Sequence, residues 1–232
     1  MKKIAIIKTG STDEALRQQN GDFEFWIAKK TGLPESIFSI LDVLNMDGWP
    51  SAESFKSIII TGSHTNVTDR PDWLPELEDY VRKAHDHSVP ILGICFGHQL
   101  LANAFGGEVS DNTQGPEFGS VPIELNTNAR LNPLFQELPT VFSAFMSHRQ
   151  SVVRLPEGAV RLAVSPKDQN AAFYLEPNLW GVQFHPEFDS TIMAWYLKNH
   201  FHIPDSELAR YLPSDQFSPN IIGRFIEINS TD

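Results

Sequence analysis

The 232-residue sequence predicts an α/β fold: an open, mostly parallel β-sheet flanked by helices, with a few antiparallel strands added. In the first half of the chain, short segments rich in Ile and Val alternate with amphipathic stretches, which is the pattern of strand–helix–strand units. After Gly106-Gly107, short strand-like segments follow one another with Pro, Asn and Gly between them, as in antiparallel hairpins. Ligands bind beyond the carboxyl ends of parallel strands, so residues that directly follow strands are the first candidates for function.

Each predicted element follows from its local pattern. In the first half, apolar runs predict strands over residues 3–8, 37–41, 57–61 and 89–94. A helix is predicted between the last two, because apolar side chains recur at helical spacing from Trp73 to Ala84 after Asp69 and Pro71. Further strands are predicted over 121–125, 141–145, 159–165, 171–175 and 180–184, and a last helix begins near Asp189.

The length suits a single domain over residues 1–232, with a core to about residue 200 and a C-terminal extension over about 204–232. For this extension, packing on the core and contact with a partner are both open interpretations. The apolar fraction of 41% and the charged fraction of 20% are ordinary for a globular protein, which argues against global disorder.

Charge and cysteine content narrow the class of partner and the compartment. With 18 basic and 29 acidic residues, the formal net charge is -11, so we expect neither a nucleic-acid partner nor an anionic membrane surface. No segment approaches the roughly 18 consecutive apolar residues of a membrane span, and the N-terminal apolar run is too short for a signal peptide. The single cysteine excludes an intramolecular disulfide, so we expect a cytoplasmic protein.

The strongest functional pattern is the junction at Cys95, where a predicted buried strand runs directly into a predicted helix. Gly93 and Gly97 lie two residues to either side of the cysteine, which is the nucleophile-elbow spacing with Cys in place of Ser. The start of the helix favours a thiolate and offers unpaired N–H groups to an oxyanion. Most free cysteines are small buried hydrophobic residues, but the flanking glycines favour a nucleophile here.

A thiolate nucleophile needs an imidazole that moves its proton and a group that orients the imidazole. Of the eight histidines, His185 directly follows the apolar run 180–184, and Glu187 lies two residues later beyond Pro186. His98 lies one turn into the helix after Cys95, where we expect it to pack or cap. The His-Pro-Glu spacing alone is a weak signal; it gains weight from its combination with the elbow.

The segment Gly93-Ile94-Cys95-Phe96-Gly97-His98-Gln99, followed by His185-Pro186-Glu187, resembles the paired signature of class I, or triad, glutamine amidotransferases. The resemblance runs from about residue 1 to 200 and is to stand-alone members similar to the amidotransferase domain of GMP synthetase. It implies a flavodoxin-like fold, a catalytic triad of Cys95, His185 and Glu187, and no metal or cofactor. Cys95 would attack the side-chain amide of glutamine to form a γ-glutamyl thioester, His185 would move the proton and Glu187 would orient His185.

The resemblance also implies an oxyanion hole and a substrate pocket. The oxyanion donors would be the backbone N–H groups of Phe96 and Ser63, and the expected substrate-binding residues are Gly62, Gln99, Ser147, His148, Arg149 and Gln150. Two segments depart from the family pattern: Gly62-Ser63-His64 replaces Gly-Gly-Pro, and Arg149-Gln150 replaces Gly-Asp.

Three interpretations follow. The first is a glutaminase or amidotransferase that releases ammonia, for which a separate synthetase subunit is one candidate acceptor. The second is a γ-glutamyl hydrolase or peptidase on the same scaffold, whose substrate carries a leaving group larger than ammonia. The third is an inactive regulatory protein that binds a glutamine-like molecule; the complete triad argues against it. In each case the expected ligand is a small molecule, glutamine or another γ-glutamyl compound.

Overall fold

The computed structural model describes residues 2–213 and 219–230. Within these residues the chain forms eleven strands and six α-helices. The strands are β1 (Lys3–Lys8), β2 (Phe38–Asp42), β3 (Phe55–Ile60), β4 (Ile91–Ile94), β5 (Glu108–Asp111), β6 (Glu117–Leu125), β7 (Val141–His148), β8 (Gln150–Arg154), β9 (Val160–Val164), β10 (Ala172–Leu175) and β11 (Leu179–Val182). The helices are α1 (Glu14–Asn20), α2 (Phe23–Thr31), α3 (Leu74–Asp86), α4 (Phe96–Ala104), α5 (Ser190–Asn199) and α6 (Ile221–Ile228).

Nine of the strands form one mixed sheet in the order β2-β1-β3-β4-β11-β10-β9-β6-β7. The pairs from β2 to β11 are all parallel, and those from β11 to β7 are all antiparallel. β5 and β8 pair separately in an antiparallel ribbon. The predicted α/β fold is therefore confirmed, and β11 joins its parallel part to its antiparallel part.

The central parallel strands β4 and β11 are apolar and buried along their whole length, because both faces of the sheet are covered there. Successive side chains of a strand point to opposite faces, so Ile4 and Ile6 belong to one core cluster while Ala5 and Ile7 belong to the other. The first cluster includes residues of α2 and α6, and the second includes residues of α3 and α4. Among the described residues, no helix combines the length and apolar character needed to cross a bilayer.

The predicted C-terminal extension contributes α6 to the core. Phe225 is fully buried, and its ring packs edge-to-face on Trp180 of β11 with 5.8 Å between ring centroids. Ile221 and Ile222 are buried in the same cluster. Residues 214–218 and 231–232 of the predicted extension lie outside the described residues.

Some elements differ from the sequence prediction. The apolar patterns do not predict α1 and α2; α1 is short and buries only Leu16. Nor do they predict β5 and β8, whose ribbon pairs segments about forty residues apart and so leaves no local signature. The predicted strand over 180–184 begins and ends earlier, at Leu179–Val182, which leaves the following residues free to turn toward Cys95.

Candidate active site

Cys95 lies in a sharp turn between β4 and α4 with a left-handed backbone conformation, φ 51° and ψ -101°. A residue other than glycine adopts such a conformation only when its surroundings enforce it. Here the N–H of Cys95 donates to the carbonyl oxygen of Val182 at 2.8 Å. A Cβ added to Gly93 would lie 2.5 Å from the backbone of Gly97, and one added to Gly97 would lie 2.7 Å from the carbonyl oxygen of Ile60. Both predicted glycines are therefore required for the turn.

The sheet register brings His185 to the same edge as Cys95. β4 and β11 are parallel neighbours, and Ile94 lies opposite Val182. The chain then turns, and the backbone N–H of His185 donates to the carbonyl oxygen of Phe145 at 2.8 Å. A Cβ added to Gly62 would lie 3.1 Å from Cε1 of His185 and 3.7 Å from Cβ of Cys95, so these two side chains adjoin the same small space.

Glu187 holds the imidazole of His185 in place. Nδ1 of His185 lies 2.7 Å from Oε1 of Glu187, and both side chains are almost completely buried. The imidazole also stacks on Phe188, with ring centroids 4.0 Å apart and an interplanar angle of 20°. With Nδ1 engaged by the carboxylate, Nε2 is the nitrogen left for the thiol.

The protonation of His185 reflects its charged neighbours. Burial by itself lowers the pKa of this imidazole, but the carboxylate of Glu187 and the sulfur of Cys95 outweigh it and raise the pKa to about 10. His185 therefore holds its proton at neutral pH. His98 is the opposite case: it packs against Phe173, and burial lowers its pKa to about 3, so it stays neutral.

Gln183 is a site residue that the sequence analysis missed. Its side-chain Nε2 donates to Sγ of Cys95 at 3.5 Å, and its Oε1 accepts from Nε2 of Gln99 at 2.9 Å. Nε2 of Gln99 also donates to the backbone oxygen of Gln150 at 2.8 Å. A relay of amides thus connects the predicted substrate-binding segment to the sulfur. The only sequence signal is a glutamine within the otherwise apolar run 180–184; in the structure this side chain is fully buried.

The two residues predicted to supply the oxyanion donors, Phe96 and Ser63, line the same pocket as Cys95. Phe96 is the first residue of α4, so its backbone N–H has no acceptor within its own helix. Ser63 lies in the loop that follows β3. Its hydroxyl anchors this loop by donating to the backbone oxygen of Thr9 at 3.0 Å and accepting from the backbone N–H of Thr65 at 3.1 Å.

A pocket opens at Cys95, and most of the predicted site residues line it. Gly62 adjoins the ring of His185 and contributes no lining atoms. The predicted residues that line the pocket are Ser63, Cys95, Phe96, Gln99, Ser147, His148, Arg149, Gln150 and His185. The other lining residues were not predicted; they are Phe23, His64, Thr65, Asn66, Tyr196, His200 and Phe201.

The side chains of the predicted substrate-binding segment 147–150 differ in how many of their polar atoms are already hydrogen-bonded. Both ring nitrogens of His148 are engaged, with the backbone oxygen of Gln150 at 2.8 Å and Oε2 of Glu117 at 3.2 Å. The guanidinium of Arg149 lies 5.7 Å from the ring centre of Phe201 and pairs with no carboxylate among the described residues. Gln150 is buried, and its Oε1 has no hydrogen-bond partner within the described part of the chain. The exposed guanidinium of Arg149 is therefore available to a ligand, whereas the amide of Gln150 is enclosed and His148 supports the segment.

The sequence matches the family model described as glutamine amidotransferase class-I over residues 35–203. The chain belongs to the class I glutamine amidotransferase family. The matched region contains Cys95, Gln183, His185 and Glu187.

This family member is similar to γ-glutamyl peptidases of Arabidopsis thaliana. It is 33% identical to peptidase 4 over 143 residues, which cover 61% of this chain and 57% of the peptidase. It is 31% identical to peptidase 5 over 198 residues, which cover 83% of this chain and 78% of the peptidase. A GMP synthase (glutamine-hydrolyzing) of Bacillus pumilus is 38% identical over 133 residues, 57% of this chain and 24% of the synthase. The match thus spans less than two thirds of peptidase 4 and about a quarter of the synthase.

The fold of this class I amidotransferase family member also resembles solved structures. A glutamine amidotransferase from Thermotoga maritima superposes with a TM-score of 0.76 at 18% identity, with 100% of both chains covered. A glutamine amidotransferase from Methylobacillus flagellatus gives a TM-score of 0.71 at 24% identity and covers 99% of this chain and 90% of that one. At these identities the likeness concerns the fold, and it confirms the predicted architecture.

Proposed function

We propose that this chain is a cysteine-dependent amidase that cleaves γ-glutamyl amide bonds, with glutamine as the leading substrate. One observation carries the proposal: Cys95, in its strained elbow, shares an edge of the sheet with an imidazole that Glu187 keeps protonated and oriented. This is the arrangement of a nucleophile, its proton carrier and an orienting group.

In the first half of the reaction, His185 holds the proton of the Cys95 thiol while Sγ attacks the carbonyl carbon of the γ-amide. The carbonyl oxygen takes up the electron pair, and the backbone N–H groups of Phe96 and Ser63 stabilise the resulting oxyanion. The carbon–nitrogen bond then breaks as Nε2 of His185 donates its proton to the departing nitrogen. Ammonia leaves and a γ-glutamyl thioester remains on Cys95.

In the second half, the neutral imidazole of His185 accepts a proton from water while the water oxygen attacks the thioester. A second tetrahedral species forms at the same carbon and uses the same N–H donors. It collapses with Cys95 as the leaving group, glutamate is released and His185 again holds a proton. Glu187 stabilises the imidazolium of His185 through the contact between its Oε1 and Nδ1.

One end of the segment 147–150 suits the substrate's charged groups. The guanidinium of Arg149 is exposed, pairs with no carboxylate among the described residues and suits the α-carboxylate. Gln183, by donating to Sγ of Cys95, stabilises negative charge that develops on the sulfur during the reaction.

A second candidate is a γ-glutamyl peptidase, in which the leaving group is an amino acid or peptide. The match to Arabidopsis γ-glutamyl peptidase 5, which spans 83% of this chain and 78% of the peptidase, favours it. The aromatic side chains of Phe23 and Tyr196 also line the pocket and offer contact area to a leaving group larger than ammonia.

For the glutaminase reaction, we infer that a separate synthetase accepts the ammonia. The supporting observation is that this chain matches 24% of the length of a GMP synthase described as glutamine-hydrolyzing, so most of that synthase has no counterpart in the match. Co-purification or a gain in glutamine turnover on adding candidate synthetases would test this inference.

The central experiment measures glutamate and amine release from glutamine and from a panel of γ-glutamyl dipeptides, with asparagine and α-glutamyl dipeptides as matched controls. We expect turnover of γ-linked substrates only. Glutamine that stays inert beside readily cleaved γ-glutamyl peptides would establish the peptidase in place of the glutaminase.

The nucleophile is tested separately. A diazo-ketone analogue of glutamine should label the unmodified chain at Cys95, which is the one cysteine of the 232 residues, and mass spectrometry locates the adduct. Cys95→Ala should abolish both labelling and turnover while circular dichroism shows an intact fold. Retained turnover in Cys95→Ala, or a chain that neither turns over γ-glutamyl amides nor reacts with the analogue, would end the proposal.

A further inference from the structure

Three side chains from separate elements meet at the rim of the pocket: Asp13, His64 and His200. Asp13 directly precedes α1, His64 lies in the loop after β3, and His200 directly follows α5. One ligand atom from each lies within 4.8 Å of the others. Oδ2 of Asp13 is 2.8 Å from Nε2 of His200 and 3.9 Å from Nδ1 of His64.

This donor set matches the chemistry of zinc. Two imidazole nitrogens and one carboxylate oxygen form a three-ligand Zn²⁺ site that keeps a fourth position for water or a substrate group. In a tetrahedral site with bonds of about 2.0–2.1 Å, neighbouring ligand atoms lie about 3.3 Å apart. The two measured separations fall on either side of that value. Because the three side chains are between 31% and 40% exposed, small rotations can equalise these distances.

The imidazole of His64 is already oriented by a second layer of contacts. Its Nε2 lies 2.9 Å from the hydroxyl oxygen of Tyr196, which in turn lies 2.9 Å from Oγ1 of Thr12. Both Tyr196 and Thr12 are buried. A metal-binding histidine characteristically uses its other ring nitrogen in such a hydrogen bond, which sets the orientation of the ring. Here that bond leaves Nδ1 of His64 facing Asp13.

We propose that Asp13, His64 and His200 form a binding site for Zn²⁺ at the rim of the pocket. The site has a consequence for the loop after β3, because His64 directly follows Ser63. Zinc bound to His64 restrains this loop and thereby couples metal occupancy to the oxyanion donor; this coupling rests on the proposed function, whereas zinc binding itself does not.

The test measures metal binding directly, in a Cys95→Ser background, because a thiolate is itself a zinc ligand. Titration with Co²⁺ as a spectroscopic probe should give one ion per chain, with the strong visible absorption of four-coordinate cobalt, and Zn²⁺ should displace it. His200→Gln and Asp13→Asn should each abolish this absorption. Tyr196→Phe keeps all three ligands but removes the hydroxyl that orients His64, so the affinity should fall about 10–100-fold.

His87→Gln is the matched control, since His87 is an exposed histidine beside a carboxylate of Glu53 at 3.7 Å and lies away from the pocket rim. Its affinity for Co²⁺ should equal that of the parent. Absence of stoichiometric binding, or binding unchanged by the loss of either Asp13 or His200, would mean that the cluster is an ion pair and would overturn the proposal.

Crystals of the unmodified chain soaked in Zn²⁺ give a readout that does not depend on any variant folding. An anomalous peak between Asp13, His64 and His200 supports the site. A peak at Cys95 alone, with none at the rim, refutes it.

Discussion

Replacing Glu187 with glutamine keeps the size of the side chain but removes the negative charge 2.7 Å from Nδ1 of His185. In the parent protein this carboxylate, together with the sulfur of Cys95, raises the pKa of the buried imidazole from its ordinary value of 6.5 to about 10 against the effect of burial. In Glu187→Gln, the carboxylate that contributes most to raising the pKa of His185 is absent, so burial lowers this pKa.

The size of the effect follows from the pKa. A rise from 6.5 to about 10 corresponds to about 5 kcal/mol of stabilisation, at about 1.4 kcal/mol per pKa unit. Because the pKa is raised in the folded state, this contribution is fully present below pH 6.5 and is lost as the pH rises through about 10. Glu187 is the strongest of the groups that raise this pKa, so we expect the variant to lose on the order of 3 kcal/mol near pH 6. The difference from the parent should shrink as the pH approaches 10.

The assay is urea unfolding followed by tryptophan fluorescence, for both proteins, at intervals from about pH 6 to pH 10. Glu53→Gln is the matched control, because Glu53 forms an exposed pair with His87 at 3.7 Å. Removing that carboxylate should change the free energy of unfolding by less than about 1 kcal/mol across the range.

Parallel stability profiles for the parent and Glu187→Gln over this pH range would refute the reasoning, because the carboxylate would then have no part in holding the proton of His185. The kinetic counterpart is that turnover falls less in Glu187→Gln than in His185→Ala, where loss of the general acid–base group is worth on the order of 10²–10⁴-fold.

Three further substitutions test other parts of the site. Gln183→Leu removes the N–H that donates to Sγ of Cys95, and since a hydrogen bond to a charged group is worth about 1.5–3 kcal/mol, turnover of the best γ-glutamyl substrate should fall about 10–100-fold; unchanged turnover would exclude Gln183 from the reaction. Arg149→Ala should raise the Michaelis constant more than it lowers turnover, as steady-state kinetics will show, and the reverse pattern would contradict a role in binding the α-carboxylate. Gly93→Ala places a methyl group 2.5 Å from the backbone of Gly97, so urea unfolding should show a loss of about 1–3 kcal/mol or more, and parental stability would mean that the elbow tolerates a side chain.

The local patterns of the sequence were sufficient for the parallel strands and for the positions of Cys95 and His185. Part of the elbow's geometry is local, because the clash between Gly93 and Gly97 involves residues four positions apart, whereas the contact of Gly97 with Ile60 depends on the pairing of strands. The same short-range logic places His185 just beyond a strand. The roles of the predicted site residues remain predictions.

Other features depended on contacts between residues far apart in the chain. Gln183 lies beside Cys95 only because β11 pairs with β4, and no property of either segment alone predicts that register. The cluster proposed to bind zinc brings together Asp13 and His200, which are 187 residues apart in the chain. They meet because α5 packs against α1. The pKa of His185 likewise depends on burial and on the proximity of Glu187 and Cys95, which only the folded protein provides. The sequence therefore determined the chemistry of the nucleophile, which is local, whereas the tertiary structure decided which polar groups surround it, because long-range packing sets both their distances and their exposure to water.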